Sequence, residues 1–173
     1  MLDLIKKYEK KDIKQYIPQI MIAIIILIGV LVRIIGIDKY PNALNVDEAS
    51  AGYEAFSILN YGIDRNGNFL PVFLVAWGSG QNALLSYLMM PFIAIFGLTT
   101  FSIRLPMAII GGISLGIFYC LLKRMTNKKV AIIGLIFLAI CPWHIMKSRW
   151  GLESNLFPDL TLLSVFLIIK GLQ

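Results

Sequence analysis

Apolar residues fall in long runs along this chain, and polar segments separate them. The first run extends over residues 17–37 and is interrupted at few positions. About 20 residues of helix are enough to cross the roughly 30 Å hydrocarbon core of a bilayer. Later runs at 103–122 and 130–146 are also long enough, whereas a last run at 156–169 is marginal. The pattern predicts an all-α membrane protein.

One further apolar run, at 83–96, is short for a span, and the neighbouring charges indicate where it lies. The segment 123–129 carries four basic residues between two good spans. Loops of this kind belong in the cytoplasm. If the first span runs outward and 83–96 does not cross, the span at 103–122 delivers that loop to the cytoplasm. We therefore expect 83–96 to lie at the outer surface.

This argument predicts a multi-pass plasma-membrane protein with a cytoplasmic N-terminus. Arg33, near the outer end of the first span, is expected to snorkel towards the headgroups. The predicted order is a cytoplasmic basic tail (1–16), transmembrane helix 1 (17–37), an outer loop with interfacial helices (38–102), transmembrane helix 2 (103–122), a cytoplasmic loop (123–129), transmembrane helix 3 (130–146), an outer loop (147–155) and transmembrane helix 4 (156–173), in a chain expected to be truncated.

Composition supports the bilayer and excludes one other class of partner. Hydrophobic residues make up 58% of the 173 residues, and the mean hydropathy is +0.76, whereas soluble domains are about 45–50% apolar. The net charge of +6 could suggest nucleic acid. The basic residues, however, flank apolar segments and do not form a soluble patch with interleaved aromatics. We therefore expect membrane lipids as partners and no nucleic acid.

Two acidic segments fall on the predicted outer face. The first contains Asp47 and Glu48 at the start of a predicted helix, and the second contains Arg149 and Glu153. An ionised Asp can accept the proton of an alcohol, and an Arg can neutralise a departing phosphate. Each segment also has a structural interpretation. In the first, Asp47 or Asn45 would be an N-cap, with Glu48 favourable to the helix dipole. The second would be an Arg149–Glu153 pair in a solvated loop.

A single histidine, His144, follows Trp143 at the predicted outer end of a span. A lone His in this position is more often structural than catalytic, and we interpret it so. The sequence has no Walker motif and no G-x-G-x-x-G motif. A nucleotide cofactor therefore has no visible binding segment.

An ordered set of short motifs resembles one enzyme family. The motifs are Val46-Asp47-Glu48-Ala49, Gly52-Tyr53 with Ala55, Gly62 with Asp64 and Gly67, Leu70-Pro71, Phe96-Gly97, Arg104-Leu105-Pro106 with Gly111, Pro142-Trp143-His144, Ser148-Arg149 and Glu153. Together they resemble the N-terminal portion of GT-C fold polyprenyl-phosphate-dependent glycosyltransferases, of the protein mannosyltransferase and aminoarabinose transferase type (glycosyltransferase family 39).

The resemblance implies a GT-C-type helical transmembrane bundle, with interfacial helices on the outer face, that transfers a sugar with inversion. The donor would be a polyprenyl-phosphate-linked sugar, and the acceptor a hydroxyl of a glycan, lipid or protein. By the same resemblance, Asp47 would be the general base, and Glu48 would orient the acceptor. If a divalent cation (Mg²⁺ or Mn²⁺) binds, Asp47 or Glu48 would hold it. Arg149 and Glu153 would bind substrate. Family members are several times longer, so a complementing subunit is a further expected partner.

Two other functions stay open on the sequence alone. In a non-catalytic membrane scaffold or lipid-binding partner subunit, the acids would be caps and surface charges. A transporter would be expected to carry ionisable residues at mid-depth in its spans. These spans are nearly free of charge, so the transporter is the weaker of the two.

Overall fold

The computed structural model describes the backbone of residues 2–76 and 78–172, and the side chains within these ranges from residue 16 onward. The lysine side chains of the predicted basic tail lie outside the described residues. Seven helices and one β-hairpin form in the described part of the chain. They are α1 (Leu2–Ile34), α2 (Val46–Tyr61), β1 (Phe73–Ala76), β2 (Ser79–Asn82), α3 (Leu84–Phe96), α4 (Thr100–Met125), α5 (Lys128–Ile140), α6 (Pro142–Ser148) and α7 (Glu153–Gly171).

Three helices are long and apolar enough to cross a membrane: α1 from Tyr16 onward, α4 and α7. A fourth candidate is the pair α5 and α6, which meet at an angle of 60°. The sequence predicts one continuous span at 130–146, and the structure divides it at Cys141. The cause is Pro142, which has no N–H to donate and disfavours helical geometry in the residue before it. Cys141 is accordingly extended, with φ −62° and ψ 115°.

The predicted short apolar segment at 83–96 is a helix, α3, and it helps to build the main core. This core lies where α2, α3, α4 and α7 meet. Its buried members are Ala51, Ala55, Leu85, Met89, Ile93, Ile103, Met107 and Leu156. The short helix therefore packs against α2 on one side and against the candidate span α4 on the other. Its location at the membrane surface stays a prediction.

The hairpin of β1 and β2 was not predicted, although the sequence carries a signal for it. The strands pair antiparallel, from Phe73 opposite Asn82 to Ala76 opposite Ser79. The two-residue connection contains Gly78 with φ 77°. Short hairpin connections favour Gly because they require positive φ. The hairpin places β2 beside the start of α7, where the candidate site lies.

Close packing of α4 on α6 depends on Gly111, which gives a first testable prediction. A Cβ at Gly111 would overlap the hydroxyl of Ser148 and lie 2.5 Å from its Cβ. We expect Gly111→Ala to lower the free energy of unfolding by roughly 1–3 kcal/mol, the usual cost of overpacking. Gly116 in the same helix has nothing within 4 Å of an added Cβ. Gly116→Ala should therefore be neutral or stabilising by up to about 1 kcal/mol. Thermal unfolding in detergent measures both, and equal losses would contradict the packing argument.

Candidate active site

The first acidic segment forms the start of α2. Two of its polar side chains cap the helix, and the third is exposed and does not cap it. Asn45 is the N-cap, and its side-chain oxygen accepts the backbone N–H of Asp47 at 2.9 Å. Glu48 completes the capping box by accepting the backbone N–H of Asn45 at 3.0 Å. Asp47 is exposed, and no described residue donates a hydrogen bond to its carboxylate. Asp47 is therefore the acid of this pair that is free to meet a substrate.

Glu48 is fully buried against Arg104 of α4. Arg104 Nε and Nη2 donate to the two carboxylate oxygens of Glu48 at 2.9 and 3.0 Å. The remaining guanidinium donors reach the carbonyl oxygens of Ile37, Pro41 and Ala43 at 3.0, 2.8 and 2.6 Å. An arginine side chain has five N–H donors, and all five of these donors are used. The Glu48–Arg104 ion pair is thus a buried junction in which every guanidinium donor has a hydrogen-bond acceptor.

The same junction holds the second acidic segment. Glu48 Oε1 also accepts the backbone N–H of Gly151 at 2.7 Å. Gly151 fits tightly there, because a Cβ would lie 3.0 Å from the carbonyl oxygen of Ile103. Glu48 therefore connects α2 and α4 with the chain just before α7. This arrangement fixes Asp47 and Glu153 relative to each other.

Asp47 and Glu153, far apart in sequence, line one cleft of about 270 Å³. The other lining residues are Ala51, Ser79, Gly80, Gln81, Leu152 and Ser154. Glu153 is half-buried, and its carboxylate accepts the backbone N–H of Asn82 at the end of β2. The structure thus brings one acid from each predicted segment into one cleft.

Arg149 lies elsewhere and makes no ion pair with Glu153. Its guanidinium donates to the carbonyl oxygens of Val32, Ile35, Gly36 and Tyr40, at 2.6 to 3.0 Å. These carbonyls belong to the last turn of α1 and the chain that follows, where a cation complements the helix dipole. Burial lowers the pKa of Arg149, and nearby Arg104 lowers it further, yet a guanidinium stays charged at neutral pH. The solvated Arg149–Glu153 pair is therefore wrong.

Arg33 is buried in the bundle and does not snorkel, which corrects the sequence-based expectation. It donates to the carbonyl oxygens of Gly29 and Leu138 at 2.6 and 3.3 Å, and to His144 Nδ1 at 2.6 Å. Because an Arg can only donate, Nδ1 must accept. His144 Nε2 then carries the proton and donates to Ser114 Oγ at 3.2 Å. This set of partners gives His144 a structural role, in agreement with the interpretation of its sequence position.

These residues supply too few free ligands to form a complete site for a divalent cation. The described side chains contain no group of three or more His, Cys, Asp or Glu that could hold a metal. Glu48 has both oxygens occupied by Arg104 and backbone N–H groups. Asp47 and Glu153 are the two carboxylates that could approach one ion. We therefore derive no step through a metal.

The fold defines a helical membrane protein, with two carboxylates from distant segments meeting in one polar cleft. Comparison with models of protein families matches residues 82–173 to the dolichyl-phosphate-mannose-protein mannosyltransferases. The match covers just over half of the chain, and the chain belongs to this family. Searches of curated proteins and of solved structures found no match.

The family assignment confirms two predictions. The chain belongs to a family of membrane glycosyltransferases, and its helical fold is of the GT-C type. The matched segment includes Arg104, Arg149 and Glu153 but starts after Asp47 and Glu48. The roles of individual site residues therefore depend on the geometry of the cleft and are argued as proposals.

Proposed function

We propose that the chain transfers a sugar, with inversion, from a polyprenyl phosphate to an acceptor hydroxyl on the extracytoplasmic face of the plasma membrane. The observation that carries this proposal is the meeting of Asp47 and Glu153 in one cleft beside candidate membrane spans. The family supplies the reaction class, since its name specifies a lipid-phosphate mannose donor. Orientation follows from the basic segment 123–129, which belongs in the cytoplasm.

Asp47 acts as the general base in this proposal. It is exposed at the first turn of α2, where its carboxylate can contact a hydroxyl in the cleft. As the acceptor oxygen attacks the anomeric carbon, Asp47 takes the hydroxyl proton. The bond from carbon to phosphate oxygen breaks on the opposite side, and the polyprenyl phosphate leaves with the electron pair. Attack from the side opposite the leaving group inverts the configuration.

The other residues of the site have two roles: one orients the acceptor, and the others position the base. Glu153 lines the same cleft as Asp47 and can accept a second hydrogen bond from the acceptor. Glu48 and Arg104 are positioning residues, because they hold α2 against the chain at Gly151. Arg149 stabilises the outer end of α1 by binding its carbonyl oxygens. If a divalent cation binds, Asp47 and Glu153 are the carboxylates that could hold it, and it would offset their own negative charge.

Glu153 provides the test within this proposal. We expect Glu153→Gln to lower kcat/KM for sugar transfer by roughly ten- to hundredfold, the scale of one hydrogen bond to a charged group. The assay measures transfer of radiolabelled mannose from polyprenyl-phosphate mannose in membranes that contain the protein. Glu153→Asp keeps the charge and should recover part of the rate. Wild-type membranes that transfer no sugar above the background of membranes lacking the protein would count against the proposal, as would full activity in Glu153→Gln.

A further inference from the structure

An apolar groove adjoins the carboxylate cleft. It lies between α3 and α7, has a volume of about 250 Å³, and shares Glu153 and Ser154 with the cleft. Leu85 and Leu156 are buried and form its floor. Its rim, formed by Leu84, Phe157 and Leu160, is exposed along two apolar helices. A molecule with a polar head in the cleft could therefore extend an apolar chain into the groove.

The charges around these two adjoining spaces restrict the kind of headgroup that fits. Asp47 and Glu153 contribute two negative charges when ionised. No Lys or Arg is present among the described residues that line either space. A phosphate or carboxylate headgroup would meet like charges and no compensating cation. Hydroxyl groups, in contrast, can donate hydrogen bonds to both carboxylates.

The direction of the groove also restricts the kind of acceptor. A peptide from the aqueous side could reach Asp47 through the open cleft without contacting the groove. The exposed rim on α7 belongs to a candidate membrane span, so an apolar chain enters most directly from the bilayer. Burying such a chain against Leu85 and Leu156 is favourable, at about 25 cal/mol for each Å² removed from water.

We infer that the cleft and the groove together bind the acceptor, and that this acceptor is an uncharged lipid with a free hydroxyl. The inference rests on the proposed function, because a base at Asp47 requires the acceptor hydroxyl beside it. The hydroxyl-bearing head lies between Asp47 and Glu153, and the apolar chain lies between α3 and α7. The anionic phosphate of the donor is recognised outside the cleft.

A photo-cross-linking experiment tests this inference without requiring catalysis. The protein is reconstituted in phosphatidylcholine vesicles with diacylglycerol that carries a diazirine in one acyl chain. The matched probe is phosphatidic acid with the same chains, which replaces the hydroxyl by a phosphate. We expect diacylglycerol to label residues 84–85 and 156–160, and phosphatidic acid to label them about tenfold less. Mass spectrometry of the labelled peptides locates the sites.

Two helix variants separate groove binding from general lipid contact. Leu160→Trp fills the groove and should reduce labelling by diacylglycerol about tenfold. Val165→Trp places the same side chain at an exposed position of α7 outside the groove, and labelling should not change. Labelling spread evenly over exposed helices, or equal effects of the two substitutions, would overturn the inference.

The charge argument has its own variant, which does not depend on filling the groove. The double substitution Asp47→Asn and Glu153→Gln should raise labelling by phosphatidic acid to that of diacylglycerol. Unchanged discrimination would overturn the electrostatic basis of the inference. A serine-containing peptide that accepts sugar, while diacylglycerol neither accepts sugar nor labels the groove, would favour a protein acceptor instead.

The lipid site and the proposed function can fail separately. Asp47→Asn should reduce transfer by about two to four orders of magnitude and keep diacylglycerol labelling in the groove. Groove-specific labelling, with transfer that does not depend on Asp47, would support the lipid site and contradict the catalytic proposal. Transfer that depends on Asp47, without groove labelling, would do the reverse.

Discussion

Replacing Asp47 by Asn is expected to reduce sugar transfer by about two to four orders of magnitude, the range that general-base catalysis contributes. The amide keeps the size and shape of the side chain but cannot take up the proton of the attacking hydroxyl group. Asp47 is exposed, and its backbone N–H provides the contact with the N-cap Asn45. The substitution therefore leaves α2 capped and removes the proton acceptor alone.

The measurement compares wild type and Asp47→Asn for transfer of radiolabelled mannose from polyprenyl-phosphate mannose in membranes. Membrane insertion, measured by protease protection, should be unchanged. Asp38→Asn is the matched control, since Asp38 is another exposed aspartate of the same predicted outer loop and does not line the cleft. Its activity should stay within about threefold of wild type, as for surface substitutions away from a site. Transfer by Asp47→Asn at a similar level would remove Asp47 from the role of base.

The elements with local signals could be predicted from the sequence. The short apolar run at 83–96 corresponds closely to α3, Leu84–Phe96. The structural interpretation of the first acidic segment was also partly right, because Asn45 caps α2. Periodicity and capping are properties of neighbouring residues, and so a sequence displays them directly. The 60° bend at Cys141 also has a local signal, Pro142. A prediction from hydropathy does not detect it, because hydropathy carries no information on helix breaking.

The partners of the charged residues could not be predicted, because they lie far apart in sequence. Arg33 binds carbonyl oxygens of α5 more than 100 positions away, and Glu48 binds Arg104 across 56 positions. A lone Arg at the end of an apolar run gives the same local pattern whether it reaches headgroups or caps another helix. The meeting of Asp47 with Glu153 is equally non-local and depends on the unpredicted hairpin.

Glu48→Gln is expected to lower the free energy of unfolding by about 3–5 kcal/mol. This is the usual cost of removing one member of a buried ion pair, because the other charge is left without its partner. Arg104 is completely buried, and its charge would then face an uncharged amide. Glu54→Gln is the matched control, since Glu54 is also buried and paired with an arginine, Arg65. The Arg65 side chain is 29% exposed. Because water can solvate it, the loss should be smaller.

A double-mutant cycle with Glu48→Leu and Arg104→Leu measures the pair itself. The double variant removes both buried charges, so it should lose roughly 1–3 kcal/mol less than the sum of the single losses. Full recovery is not expected. The carbonyl oxygens of Ile37, Pro41 and Ala43 and the N–H groups of Asn45 and Gly151 would lose their partners. Unfolding by denaturant titration in detergent micelles gives the four free energies, and simple additivity would show that the two charges do not act as a pair.

The same pair links stability to catalysis, because Glu48 holds the segments that carry Asp47 and Glu153. Glu48→Gln should therefore lower kcat for sugar transfer under conditions in which the variant is still folded and inserted. Misplacing a base by about 1 Å can cost about a hundredfold in rate. The KM for the donor should change little, since Glu48 is buried and outside the cleft. A variant that is destabilised but keeps its kcat would restrict Glu48 to a purely structural role.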